Sequence, residues 1–517
     1  MKKLKLALVF VVCAAVLAAA LSGCGKTSEL NPGGLDNCLA VNTSERHQTM
    51  TGWGASSAWW SQTVPEDSAA AAALAEALYS DSGLGLNIYR YNIGGGSAEL
   101  GAEDGVNYVQ ERKAYSLFDS SKYDEGKTLE ENFADRSKYS VEGDKNAVEF
   151  LHTCLDQPGS SIEQVIVFIN SPHYLMTASG VTHGENEYDS NLPEENYEAF
   201  AAYVLNCILT LRADGIPVSV VSPINEPQHK WGGDGSTQEG CHYEPAEAAK
   251  VVDALYSAIE EFNATQQGLP LEVKISAVES GNYTSYLSKS RAVEYVYELS
   301  KYPWFDELYG LSVHAYEEPM SDSARKSYIS RIENILGDSE FFVDMTEVCH
   351  MEGGVDAGMA SGTYVAKIMQ KDLSYLNARS WSWWIAASDY DYNDGLVYWD
   401  YYSTSSELKY VKRYYAMAQY SKFVEPGDVR VGLEWLNASS SYGSDLCGTA
   451  FSRADGTVIV VLVNDTSSSF PVNIAGGYTN MTVTVTNENC DLKTEYEGAF
   501  RKNLVISPMS VTTIVMR

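Results

Sequence analysis

Short apolar runs rich in Val, Ile, Phe and Tyr recur along this chain, separated by longer stretches with the spacing and composition of amphipathic helices. The runs are "MTGWGASSAW" (50–59), "LNIYRYNIG" (86–94), "VIVFINSP" (165–172), "VSVVSPINE" (218–226), "VKISAVES" (273–280), "GLSVHAY" (310–316), "FFVDMTEV" (341–348) and "RSWSWWIA" (379–386). Stretches such as "NYEAFAAYVLNCILTLRADG" and "PAEAAKVVDALYSAIEEFN" fill the gaps. Near-continuous apolar strands are those buried on both faces, so strand and helix in alternation predict a parallel sheet under helices. Eight such units predict a closed (β/α)8 TIM barrel over 50–417. An open doubly wound sheet is the alternative, but no GxGxxG opens a helix after the first run, and "GGGS" (94–97) reads as a turn.

Beyond residue 418 the helical spacing stops. "VIVVLVND", "YTNMTVTVTNE" and "NLVISPMSVTTIVMR" are strands without helices between them, which predicts a β-sandwich side domain over 418–517. The strand-like segment 38–49 is expected to join that sandwich. At the other end, "MKKLKLALVFVVCAAVLAAALSGC" has a Lys-rich start, an apolar run and small residues before Cys24. This is the form of an export signal. "LSGC" resembles a bacterial lipobox, which implies a leader over 1–23, a lipid on Cys24, a tether over 24–37, and a membrane-anchored position in the cell envelope outside the cytoplasm.

Composition narrows the function. The chain has 517 residues, 45% of them hydrophobic, enough for a large core. A formal charge of -33, from 69 acidic and 36 basic residues, argues against a nucleic-acid partner, which needs a cationic footprint. Cysteines 38, 154, 207, 241, 349, 447 and 490 show no metal-type spacing, so no zinc site is indicated, and their pairing stays open.

In such a barrel the chemistry sits where strands end, so polar and aromatic residues at the exits are the candidates. They are Trp53, Arg90, Asn92, Ser171, His173, Asn225, Glu226, Glu279, His314, Tyr316, Glu347, Trp383 and Trp384. Glu226 closes the fourth strand and Glu347 the seventh, facing one another across the barrel mouth. Two carboxylates beside aromatic walls are what glycosidic cleavage requires: one protonates the leaving oxygen and one acts as base or nucleophile below the ring. Trp231, in the polar loop after Glu226, is the expected stacking platform; Gln238 and Glu239 either bind hydroxyls or brace that loop.

The "NEP" of the fourth strand, "DMTEV" of the seventh, "SVHAY" of the sixth, "RYNIGGGS" after the second and "KRYYAMAQYSKFVEPGDVRV" (412–431) together resemble glycoside hydrolase family 30. The resemblance implies a retaining enzyme with Glu226 as acid/base and Glu347 as nucleophile. It also implies that Asn225 binds the sugar 2-hydroxyl, Arg90 orients Glu347, Tyr316 donates to it and His314 supports it. No metal or organic cofactor is implied, and the expected partner is a polysaccharide or oligosaccharide bound by a monomer.

"NSPHYLMTASGVTHG" (170–184) with "NEPQ" and "QEGC" looks most like the endo-β-1,6-galactanase branch, acting on galactan side chains of arabinogalactan. Residues 380–408 hold no Lys or Arg, and this acidic, Tyr-rich stretch suits a neutral chain better than glucuronoxylan. A family xylanase, glucanase or β-xylosidase is the alternative within the class. Outside it stand a glycan-binding surface lipoprotein without catalysis and a structural envelope protein.

Overall fold

The structure is a computed structural model describing residues 35–233, 235–265, 268–281, 292–316 and 319–517. The leader, Cys24 and most of the proposed tether lie outside the described residues. After strand β1 (Cys38–Thr49), eight parallel strands form a closed barrel: β2 (Gly52–Ser56), β3 (Ile88–Ile93), β4 (Gln164–Ile169), β5 (Val218–Ser222), β6 (Lys274–Ser280), β7 (Gly310–His314), β8 (Val343–Glu347) and β9 (Ala378–Trp383). β2 pairs with β9 from Gly52 opposite Ser380 to Ala55 opposite Trp383, which closes the ring. Each strand coincides with one of the apolar runs because it is buried on both faces.

Alternation along a strand sorts these faces. On β3, Tyr89 and Tyr91 pack outward into the main core, while Ile88 joins Ile166 and Val220 in a small separate cluster. Arg90, two residues on from Ile88, therefore continues the opposite face from the two tyrosines. It is fully buried. Register shifts interrupt the ladder between Ala277 and Ser280 on β6 and between Val313 and His314 on β7, and the second sets His314 opposite Glu347.

Three two-residue strands, β10 (Ala387–Ser388), β11 (Val397–Tyr398) and β12 (Lys409–Tyr410), form a small sheet beyond the barrel. The side domain follows with β13 (Val429–Leu436), β14 (Leu446–Ser452), β15 (Val458–Asn464), β16 (Phe470–Ile474), β17 (Asn480–Asn487), β18 (Cys490–Ala499), β19 (Asn503–Ile506) and β20 (Ser510–Met516). β1 pairs antiparallel with β13 and, through Cys38 and Leu39, parallel with β16, so it carries the sheet from one layer to the other.

β15 explains how the domains are joined. Val458, Val460 and Leu462 enter the sandwich core, whereas Ile459, Val461 and Val463 belong to the core shared with the barrel. Its run is continuously apolar because both faces are covered. On β20 and β17 the barrel-facing positions are instead Thr513 and Thr486, which hydrogen-bond the buried Gln419 of the helix Lys412–Ser421. β18 carries no such signal: its residues are exposed or half-buried along an edge, so no apolar periodicity marks it. All seven described cysteines are free thiols. Among the described residues no helix is long and apolar enough to cross a membrane.

Candidate active site

Three strand ends bring three carboxylates together. Glu347 is the last residue of β8, Glu279 lies near the end of β6, and Glu226 follows β5. Glu226 and Glu279 both adopt left-handed backbone conformations, φ 43° and 51°, and the Glu226 N–H donates to the Glu279 carbonyl at 2.9 Å. A side chain rarely tolerates that region, so the barrel must hold both residues there, and such strain concentrates at functional sites. Gly281 makes the space: a Cβ there would stand 2.7 Å from Glu226 Oε1.

His314 joins the carboxylates. Its Nδ1 lies 2.9 Å from Glu226 Oε1 and its Nε2 2.9 Å from Glu279 Oε2, with Glu347 Oε2 at 3.8 Å. Burial lowers the imidazole's pKa, but Glu347, Glu226 and Glu279 more than reverse this and push it up to about 10. His314 is therefore a cation at neutral pH, and both nitrogens donate.

Arg90 supplies the second positive charge, with Nη2 3.3 Å from Glu279 Oε1 and Nη1 3.4 Å from Glu347 Oε2. Its guanidinium lies 4.4 Å from the Phe168 ring centroid. Burial alone would raise Glu279, yet Arg90, His314 and Thr346 hold it at about 2. Burial also acts on Glu226, where the His314 hydrogen bond and charge prevail and keep the carboxyl below its ordinary value. Glu347 is pushed up by burial and by the Glu226 charge, against the pull of His314, Arg90 and the Tyr316 hydroxyl, which donates at 2.7 Å.

Glu226, His314 and Glu347 each offer a donor atom within 4.8 Å of the others, the one such convergence among the described residues. A doubly donating imidazolium has no lone pair for a metal ion, so the trio is built to share a proton. The two carboxylates themselves approach within the same 4.8 Å.

Above the trio opens a cleft of about 1080 Å3, lined among others by Trp59, Asn170, Asn225, Gln228, Trp231, Tyr316, Trp384, Tyr390 and Tyr392. Trp231 donates from Nε1 to the Glu226 carbonyl at 2.8 Å, and Gly240 lies flat against its ring, where a Cβ would come within 2.2 Å. Glu239 lies beneath the loop, accepting from the N–H groups of Gly95 and Ser97 at 2.8 and 3.0 Å; it braces the loop from below. Trp384 meets Trp59 edge-on at 4.8 Å.

Four residues expected at the cleft lie elsewhere. Trp53 is buried against Tyr420 and donates to the Val424 carbonyl, so its ring serves the packing of barrel on helix. Asn92 donates to the Phe168 carbonyl on the next strand. His173 is an uncharged core ring among Phe118, Phe133, Tyr174 and Tyr203, with burial lowering its pKa to about 3. Trp383 stacks on Trp381 and donates to the Asp394 carbonyl. Ser171 is likewise buried, donating to the Pro172 carbonyl. Sequence reasoning missed Asn170, Tyr188, Met351 and above all Arg112 and Lys230, cations that reach the cleft from other loops. No strand-end signal marks them.

A parallel eight-stranded barrel with paired carboxylates among aromatic walls is the arrangement of a glycosidase. The profile of "O-Glycosyl hydrolase family 30" matches residues 36–398, and that of the "Glycosyl hydrolase family 30 beta sandwich domain" matches residues 427–514. The chain belongs to glycoside hydrolase family 30 and is a glycosidase. It is 24% identical over 414 residues to an endo-β-1,6-galactanase of Hypocrea rufa, covering 76% of this chain and 75% of that one. An exo-β-1,6-galactobiohydrolase of Bifidobacterium longum is 28% identical over 232 residues, which is 36% of this chain and 15% of that protein. Among solved structures, a conserved exported protein from Bacteroides fragilis superposes with a TM-score of 0.77 at 21% identity, covering 92% of this chain and all of that one. The catalytic domain of xylanase C from Talaromyces cellulolyticus gives 0.67 at 17%, covering 93% and 100%.

Proposed function

We propose that this chain is a retaining endo-β-1,6-galactanase, exported and held to the membrane by a lipid on Cys24. The observation that carries the mechanism is the approach of Glu226 and Glu347 within 4.8 Å, near the spacing of about 5 to 5.5 Å at which a nucleophile attacks directly. The similarity to the Hypocrea rufa endo-β-1,6-galactanase supports the sugar and linkage.

Glu347 attacks the anomeric carbon while Glu226 protonates the leaving oxygen. Positive charge developing on the sugar ring favours the ionised form of Glu347, as Arg90 and Tyr316 already do. The proton for Glu226 is stored on His314, in the 2.9 Å hydrogen bond from Nδ1. Its transfer leaves a neutral imidazole and a protonated acid, with Arg90 still balancing Glu279. In the second half-reaction Glu226 takes a proton from water, which attacks the glycosyl-enzyme. Asn225, whose Oδ1 is buried without a partner, accepts from the sugar 2-hydroxyl.

The test is a product profile of residues 25–517 on debranched β-1,6-galactan, β-1,6-glucan and glucuronoxylan, with Glu347→Gln as control. A ladder of galacto-oligosaccharides, absent with the variant, is expected. Galactobiose alone would overturn endo action, and products only from glucan or xylan would overturn the sugar. Radiolabelled palmitate on Cys24, lost in Cys24→Ala, is expected for the full chain in a bacterial host; export without label would overturn the anchor.

A further inference from the structure

The Tyr-rich stretch after β9 carries no cation, but the cleft does. Arg112 comes from the long excursion between β3 and the helix Lys145–Asp156, and its guanidinium forms part of the cleft wall. Its Cζ lies 4.7 Å from the Trp59 ring centroid and 5.7 Å from that of Tyr390, so two aromatic rings hold it in place. Among the described residues no carboxylate comes within salt-bridge distance of it. Its sole side-chain hydrogen bond is a long one, 3.4 Å from Nη1 to Thr237 Oγ1, and its buried Nε has no partner. Lys230, the other cation in the cleft wall, is different: Glu187 pairs with it at 3.2 Å.

A guanidinium ordered by stacking, partly withdrawn from water and lacking an anion is costly unless something completes it. In a chain of net charge -33, an unmatched cation inside the substrate cleft is the reverse of the general field. We infer that Arg112 receives the carboxylate of a uronic acid carried on the sugar chain, so that the enzyme favours acid-bearing chains over neutral ones. The planar fork of the guanidinium matches a carboxylate through two parallel hydrogen bonds, and Trp59, beside it, offers apolar surface to the sugar ring. Asp391 and Asp394 also line the cleft, so a carboxylate must seat on the Arg112 side. This deepens the galactanase reading and rests on it for the backbone of the chain.

The experiment compares β-1,6-galactotetraose with the same chain capped by a glucuronic acid, in wild type and in Arg112→Gln and Arg112→Lys. Wild type is expected to show the higher kcat/KM on the capped chain. The capped-to-neutral ratio should fall on the order of 10- to 100-fold in Arg112→Gln, and Arg112→Lys should restore only part of it. Equal cleavage by wild type, or a preference that survives in Arg112→Gln, overturns the inference while leaving galactanase activity standing. If neither chain is cleaved, the galactan reading fails, and calorimetric titration of Glu347→Gln and of the Glu347→Gln, Arg112→Gln double variant with an aldobiouronic acid still decides the role of Arg112. Binding that depends on Arg112 supports it; equal binding, or none, overturns it.

Discussion

Replacing Glu279 with Gln tests the proton store directly, because Glu279 does not line the cleft and acts through Arg90 and His314. His314 reaches about 10 through three carboxylates, two of them 2.9 Å from its nitrogens. Neutralising one of those two should lower it by roughly 1 to 3 pH units. A histidine raised by its partners keeps the proton below that value and loses it above. The alkaline limb of kcat/KM should therefore move to lower pH by the same amount, while the acid limb, set by the carboxylates, moves less. Stability provides the second readout. With Glu279 held at about 2 against an ordinary 4.5, its ionised form contributes roughly 3 kcal/mol above pH ~4.5, and this is lost as pH falls towards 2. The variant lacks that contribution, so its thermal midpoint should be lower at neutral pH and fall less steeply in acid. Steady-state kinetics across pH, with unfolding followed by circular dichroism, measures both. A folded Glu279→Gln with an unmoved alkaline limb would refute the claim that His314 stores the acid's proton.

Glu347→Gln should reduce turnover by roughly 10^4-fold or more on every substrate, since no other group can form the glycosyl-enzyme. Glu226→Gln should cost about 10^2 to 10^4 on galactan but far less on an aryl galactoside whose leaving group needs no proton; comparing the two in steady state checks the acid role. Tyr316→Phe removes the 2.7 Å hydrogen bond to Glu347 Oε1 and should lower kcat/KM roughly 10- to 100-fold with the fold intact, and a drop below threefold would count against it. Asp372, buried, accepts from Arg325 and from Trp381 Nε1 at 2.7 and 2.8 Å; Asp372→Asn should leave Arg325 uncompensated and cost about 3 to 5 kcal/mol in urea denaturation.

The apolar runs of this chain determined the barrel. Strands covered on both faces must be apolar throughout, so "VIVFI" or "VDMTE" announces both its own conformation and its place in a parallel sheet. The same logic exposed Glu226 and Glu347, because a carboxylate at the end of such a run is conspicuous. Where burial is one-sided or absent the signal faded: β18, an exposed edge, and β14, short and broken by Gly448, are strands because their neighbours pair with them. Residue type and strand position also pointed to Trp53, Asn92, His173 and Trp383 at the cleft, yet each is turned into packing. Alternation and register decide which way a strand-end side chain faces, and a bulge of one residue reverses it. The placement of His314 between Glu226 and Glu279, and of Arg112 against Trp59, joins residues far apart in the chain. Charge and stacking act across space with no trace in local spacing, so the tertiary structure alone decided which proton the acid uses and which cation the cleft presents.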